Sequence, residues 1–331
     1  MNAGVECTLR RTSLVLAIVV GDAVTLLAAP QPVLDRIPVS SCGAITAPGA
    51  YEVTGPITST FATCITITAS GVTLFLNDQV ISCVGIGFLA SCQVFGPGPI
   101  GIDVGSGLTD VAVMGRGTVT GFDTGIRVSS SNALIKRVSV TGPKCLSPFT
   151  CTRPDAVGIE VNGTSGVNLL RNTVENQADG IHLDDVTCPG GSASCVVNGN
   201  ASHDNFSLPI PCHGITLNGT TGYTLTRNVT FNNGENGFEN AGIYLVNGAT
   251  GNTITNNDSS NNLGFGIAAS GVGTSGNNIV NNVALGNTFI PGLYADLGEV
   301  SGAGPNTWND NNTCNTETGT VPPGVCNAGE G

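Results

Sequence analysis

Gly158-Ile159-Glu160-Val161, answered 22 residues later by Gly180-Ile181-His182-Leu183, is the stretch that decides the fold. The same phrase stands at Gly101-Ile102-Asp103-Val104, Gly125-Ile126-Arg127-Val128, Gly214-Ile215-Thr216-Leu217, Gly242-Ile243-Tyr244-Leu245 and Gly266-Ile267-Ala268-Ala269. Gly292-Leu293-Tyr294-Ala295 is a worn copy. Subtracting successive glycine numbers gives steps of 24, 33, 22, 34, 28, 24 and 26 residues. Self-similarity at this period signals a stacked-repeat architecture. The glycine reads as a turn residue. The alternation that follows places the aliphatics inside and the residue between them outside.

Between these phrases lies a second apolar segment, as at Val111-Ala112-Val113, Leu134-Ile135, Leu169-Leu170, Val196-Val197 and Ile254. Polar doublets follow it, among them Lys136-Arg137, Arg171-Asn172, Arg227-Asn228, Asn256-Asn257 and Asn281-Asn282. One coil therefore holds at least two short strands. Asn172, Asn228, Asn257 and Asn282 are expected at equivalent turns, hydrogen-bonded from coil to coil as an asparagine ladder. The 33- and 34-residue steps each contain a close cysteine pair, so each reads as a normal coil with a loop projecting from a turn. Cys64-Ile65-Thr66-Ile67 and Val72-Thr73-Leu74-Phe75-Leu76 read as an earlier coil, and residues 300–331 as a disulfide-held capping tail over an exposed strand edge.

Composition agrees. Only 10% of residues are charged and 5% aromatic, against about 25% charged in an ordinary globular domain. A thin continuous core of Val, Ile and Leu suits stacked coils. Net charge is −12, and residues 228–331 hold eight acids and no Lys or Arg. Nucleic-acid binding needs phosphate-neutralising cations and is excluded. An anionic polymer could dock only on the N-terminal two-thirds. Arg10 and Arg11 precede the apolar stretches Leu14–Val20 and Ala23–Ala29, separated by Asp22. Residues 1–29 are accordingly expected to be an export signal, with no membrane anchor once it is removed. Twelve cysteines fit an oxidising compartment, secreted or periplasmic. Cys42/Cys64, Cys83/Cys92, Cys145/Cys151, Cys188/Cys195 and Cys314/Cys326 are the expected pairs, with Cys212 left over.

The run Cys64-Ile-Thr-Ile-Thr-Ala-Ser-Gly-Val-Thr-Leu-Phe-Leu-Asn-Asp, the Asn-rich coils and Asn306-Thr-Trp-Asn-Asp-Asn resemble bacterial right-handed parallel β-helix proteins. Pectate lyases, polygalacturonases, alginate epimerases and NosD-like periplasmic proteins share that architecture. The resemblance covers roughly residues 42–326. It implies an all-β, single-stranded, right-handed parallel β-helix of about ten coils, and a sheet face that meets a polysaccharide. Asp184-Asp185 and His213-Gly214 are similar to the Asp-Asp and Gly-His-Gly elements of polygalacturonases. Here Cys212 replaces the first glycine and the later Arg-Ile-Lys is absent, as is the Asp-Pro-His-Glu of alginate epimerases.

If the phrases stack in register, coils lie about 4.8 Å apart and outward residues form columns. The first column reads Asp103, Arg127, Glu160, His182, Thr216, Tyr244, Ala268, Tyr294. The second reads Gly105, Ser129, Asn162, Asp184, Asn218, Val246, Ser270, Asp296. Glu160, His182 and Asp184 are the candidate catalytic residues. Arg127, Asn162, Asp185, His213, Asn218 and Tyr244 are the candidate substrate-binding residues, with Tyr294 further along the stripe. Glu160 and Asp184, one coil apart and two residues offset, come out at roughly 8 Å between backbones, which suits an inverting hydrolase pair. The same charge alternation also avoids stacking like charges, which is structural sense alone.

The chain is thus expected to be a secreted monomer that binds, and by hydrolysis or elimination cleaves, an extracellular polysaccharide. The alternative is a non-catalytic surface or periplasmic β-helix. A metal reading, calcium or copper, would use His182, Asp184, Asp185, His203 and His213, with His203-Asp204 placed in a projecting loop; otherwise no cofactor is expected.

Overall fold

The computed structural model describes residues 35–60, 62–84, 98–142, 156–191, 194–206, 212–234, 240–287, 294–300, 302–309 and 311–327, with the backbone of 19–20 and 23–24. Residues 1–35 form one unit, in which Val19–Val20 pairs antiparallel with Ala23–Val24. Otherwise the expected export signal lies outside the described residues, as do Cys92, Cys145 and Cys151.

The second unit, residues 36–331, is a parallel β-helix. Among the described residues it holds three parallel sheets of eleven strands each. The first runs from Gly43–Ile45 to Glu317–Gly319, the second from Ile37–Val39 to Thr307–Trp308, and the third from Ile57–Ser59 to Cys326–Asn327. One coil gives one strand to each sheet, as Val157–Asn162, Asn168–Leu170 and Thr173–Glu175 do in turn. The Gly-Ile phrases build the first sheet and the second apolar segments build the second. Third-sheet strands, such as Thr173–Glu175, turn a single residue inward. No helix occurs among the described residues.

The core follows from the register. Ile126 pairs with Ile159, Ile159 with Ile181 and Ile181 with Ile215, and all four are fully buried. Each aliphatic is packed above and below by its own kind, so every coil buries its neighbours. The phrase glycine is not a turn residue but lies inside the strand. A Cβ on Gly158 would stand 2.1 Å from Val174 Cγ1 and 2.6 Å from the Gly180 carbonyl oxygen. The third-sheet side chain already fills that space, so only glycine lets the two sheets meet there.

Three columns of buried amides line the helix. Asn172, Asn200, Asn228, Asn257, Asn282 and Asn312 are linked Nδ2 to Oδ1 at 2.9 to 3.1 Å. Asn205, Asn233, Asn262 and Asn287 form a second, which ends on Asp296 Oδ1. Asn252, Asn277 and Asn306 form a third, which ends on Glu299 Oε1. The four expected ladder residues all fall in the first column, which also takes in Asn200 and Asn312. The left-handed conformation belongs to the residue before each: Arg171 (φ 57°), Arg227 (φ 54°), Asn256 (φ 56°) and Asn281 (φ 56°). A non-glycine residue held there costs about 1 kcal/mol or more.

Disulfides join Cys42–Cys64, Cys188–Cys195 and Cys314–Cys326 as expected. Cys83 is also disulfide-bonded, and Cys212 is buried within the stack. The C-terminal segment expected as a cap carries the last strands of all three sheets, held by Cys314–Cys326.

The amide columns give a direct test. Asn228 Oδ1 accepts from Asn200 N and Nδ2, and its own Nδ2 donates to Val197 O and Asn257 Oδ1. Asn228→Ala leaves two buried donors and a carbonyl unpaired, at about 1–3 kcal/mol each. The variant should lose roughly 3 kcal/mol or more, read as a lower urea midpoint, whereas an exposed Asn→Ala change should leave the midpoint unmoved.

Candidate active site

The first sheet aligns the outward residues of seven consecutive coils. Asp103 pairs with Arg127, Arg127 with Glu160, Glu160 with His182, His182 with Thr216 and Thr216 with Tyr244, followed by Ala268. Two residues along, Asn162 pairs with Asp184, Asp184 with Asn218 and Asn218 with Val246. Both expected columns hold through these coils and depart at their far end. Gly298 faces Ala268 where Tyr294 was expected, and Val300 faces Ser270 where Asp296 was expected. Tyr294 packs edge-on to Phe265 at 5.2 Å. Asp296 is drawn into the stack, where its carboxylate accepts from Asn287, Asn315 and Thr316.

A third column, absent from the sequence reading, completes the cluster. Three residues before Glu160 and His182, Val157 pairs with Asp179, and on the next strand His213 pairs with Ala241. Asp179 Oδ2 lies 2.9 Å from His182 Nδ1, and Asp179 Oδ1 accepts from the His213 backbone N–H at 2.9 Å. Thr216 Oγ1 donates to Asp179 Oδ2 at 3.4 Å. The Ala241 N–H donates to His213 Nδ1 at 3.1 Å, which assigns the His213 proton to Nε2. His213 is stacked on Tyr244, ring centroids 4.3 Å apart, and both are buried. Tyr244 thus turns one face to imidazole. With Ala241, Phe265, Ala268 and Tyr294 it forms a small apolar cluster outside the main core.

The other expected residues sort themselves plainly. Arg127 grips Asp103 with Nε and Nη2, at 3.0 and 2.9 Å, so its bidentate face is occupied and Nη1 remains. Asn218 Nδ2 donates to Asp184 Oδ1 at 2.6 Å. Asn162 is exposed at its strand's end. The Asp184-Asp185 doublet divides: Asp184 ends the strand Asp179–Asp184, and Asp185 is an exposed left-handed turn residue at φ 49°.

The electrostatics follow from burial and neighbours. Burial raises the Glu160 pKa, opposed by Arg127 and His182 and assisted by Asp184. For Asp179, burial works against ionisation, but the His182 hydrogen bond and the two imidazoles outweigh it and its pKa is lowered. Burial likewise disfavours the charged form of His182, yet Asp179, Asp184 and Glu160 together raise its pKa. His213 is the reverse case, lowered mainly by burial. The site thus offers an imidazolium fixed by a half-buried carboxylate, a neutral histidine on the next strand and a carboxyl that holds its proton more tightly than usual.

The metal set does not assemble as expected. His203 lies in the third-sheet strand Ala201–His203, stacked on Phe231 at 4.5 Å, rather than in a projecting loop. His182, His213 and Asp184 belong to the first sheet. Glu175, His203 and Asp204 are the group among the described residues whose ligand atoms lie within 4.8 Å of one another. One imidazole with two carboxylates suits a borderline or hard divalent cation.

The Asp179 contact is testable in solution. With three histidines in the chain, imidazole titrations by NMR are separable. His182 should titrate above the ordinary imidazole value and His213 below it. Asp179→Asn removes the charge that favours the imidazolium, so the His182 midpoint should fall. A His182 midpoint unmoved by Asp179→Asn would contradict the pairing.

Comparison with known proteins places this geometry. The right-handed β-helix region family matches residues 89–258, just over half of the chain. The crystal structure of the Dettilon tailspike protein superposes with a TM-score of 0.52 at 16% identity, over 84% of this chain and 59% of that one. The periplasmic alginate epimerase AlgG gives 0.47 at 13%, over 76% and 64%. The alginate lyase from Paenibacillus sp. str. FPU-7 gives 0.39 at 14%, over 77% and 95%. The chain spans about six-tenths of the length of the first two, and at these identities the likeness is one of fold. Among curated proteins no sequence matches this one. Eleven parallel rungs in three sheets and the matched family agree: this chain belongs to the right-handed β-helix family.

Proposed function

We propose that this is an exported carbohydrate-active protein that binds a polysaccharide along its first sheet and hydrolyses it at the Glu160–His182–Asp184 cluster. The observation that carries the reading is the half-buried Asp179–His182 hydrogen bond beside Glu160. A chain with only 10% charged residues gathers a carboxylate dyad, two imidazoles and a raised-pKa acid on neighbouring coils. Perturbed ionisable groups on one face are the usual mark of acid–base chemistry. Disulfides at both ends of the stack suit an oxidising compartment, secreted or periplasmic.

In this reading Glu160, its proton retained by burial, is the general acid that protonates the glycosidic oxygen. Asp184, one coil and two residues away, is the base that activates water. Their backbones are about 8 Å apart by strand geometry, in keeping with the spacing that admits a water between inverting carboxyls. His182, held as imidazolium by Asp179, stabilises negative charge beside the leaving oxygen. Asn162 and Asn218 bind sugar hydroxyls, and Asp185 at the turn extends that polar rim. Arg127 Nη1 meets a carboxylate if the sugar carries one. His213, stacked on Tyr244, stands on the strand next to that of His182.

The pairing of Asp103 with Arg127 and of Asn218 with Asp184 favours one second reading, a binding or structural β-helix that performs no turnover. Activity separates the two. Glu160→Gln, Asp184→Asn and His182→Ala should each reduce reducing-sugar release from a panel of plant, algal and bacterial glycans by about 10²-fold or more, with thermal midpoints little changed. Since Glu160 must be protonated, wild-type turnover should fall as pH rises through its elevated pKa. No release from any glycan by the wild type would end the hydrolase reading and leave the binding one.

A further inference from the structure

The corner where the second sheet turns into the third carries a cationic ladder remote from the first-sheet cluster. Met114, Lys136, Leu170, Asn198, Thr226, Thr255 and Val280 are in register on successive coils. The residue after each is therefore equivalent: Gly115, Arg137, Arg171, Gly199, Arg227, Asn256 and Asn281, all in the left-handed conformation. Glycine and asparagine are what that conformation favours, yet three coils place arginine there. Arg116, Lys136, Arg137, Arg171 and Arg227 make five of the eleven Lys and Arg residues of a chain with net charge −12.

A depression of about 480 Å³ opens on this corner, lined by Asp78, Arg116, Arg137 and Arg171 together with Thr118, Ser139 and Thr173. Thr118, Ser139 and Thr173 are paired in register, so their hydroxyl groups form a second ladder alongside the guanidinium one. Asp78 pairs with Arg116 at 3.5 Å. Among the described residues no carboxylate pairs with Arg137 or Arg171. These two stack one rung apart, about 4.8 Å by strand geometry, and like charges so placed repel. Arg171 Cγ lies 3.4 Å from where a Gly199 Cβ would stand, so the side chain runs along the corner over the next coil.

We propose that this corner is a binding site for an anionic saccharide. Arg137 and Arg171 take its carboxylate or sulfate groups in charge-assisted hydrogen bonds, and Thr118, Ser139 and Thr173 take neighbouring hydroxyls. The bound anion relieves the repulsion between the stacked guanidinium groups. The site is independent of turnover on the first sheet: it binds a charged chain whether or not that sheet cleaves it.

Asparagine already occupies the equivalent positions 256 and 281, so Arg137→Asn/Arg171→Asn removes the charges without disturbing the turn. Fluorescence anisotropy at low salt with labelled oligogalacturonate and labelled dextran sulfate oligomers reads the carboxylate and sulfate arms separately. The wild type should bind at least one of them, with affinity falling as salt rises. The double variant should bind it at least tenfold more weakly at an unchanged or higher thermal midpoint, and neutral dextran should not compete. Equal binding by wild type and variant, no binding of either probe, or equal competition by neutral dextran would overturn the proposal. Because the readout is affinity rather than sugar release, an inactive first sheet does not alter it.

Discussion

From Asn172 to Asn312 the stack depends on satisfying buried amides from one coil to the next. Within a column an asparagine accepts two hydrogen bonds from the coil before it and donates two to the coil after it, from its backbone N–H and its Nδ2, as Asn228 does between Asn200 and Asn257. A slip of one residue would orphan these groups in a dry interior, and each orphan is costly. Register is therefore fixed by polar chemistry as firmly as by the aliphatic core. The outward columns of the first sheet inherit that register, which is how Arg127, Glu160 and the Asp179–His182 pair become neighbours from three successive coils.

The same rigidity explains the electrostatic character of the first-sheet cluster. Its side chains stand on strands packed on both sides rather than on loops, so a hydrogen bond such as Asp179–His182 holds a fixed geometry. Burial by neighbouring coils then separates the titration behaviour of groups that would be alike in water. His182 is pushed up by three carboxylates while His213, on the adjacent strand, is pushed down.

Much of this was legible in the sequence, for identifiable reasons. The Gly-Ile phrases gave the first sheet and its columns because a period-two pattern repeated at a coil's length admits one stacking. The third sheet was illegible because strands such as Ser139–Thr141 and Thr173–Glu175 turn one residue inward and look like turns. Asp179 escaped notice because it precedes the glycine that was read as the start of the strand. Its role comes from His182 and His213, which only the register brings to it. Tyr294 and Asp296 were placed in the outward columns because the worn phrase at Gly292 looked like another copy. The pairing with the preceding coil instead begins at Leu297, and Asp296 is taken up by the amide column.

That capture of Asp296, with the matching use of Glu299, bears on how such a molecule changes length. An asparagine both receives and passes on the pattern, whereas a carboxylate only receives it. Asn287 and Asn306 hand their amides to side chains that have no N–H to pass onward. Two of the three columns are thus terminated chemically at the same end of the solenoid. A duplicated segment spliced between Asn228 and Asn257 would meet an acceptor ahead and a donor behind, and would fit. One appended beyond Glu299 would find neither column to extend. At this end of the solenoid, growth over evolutionary time is therefore opposed in two of the three amide columns, whereas an interior insertion is not.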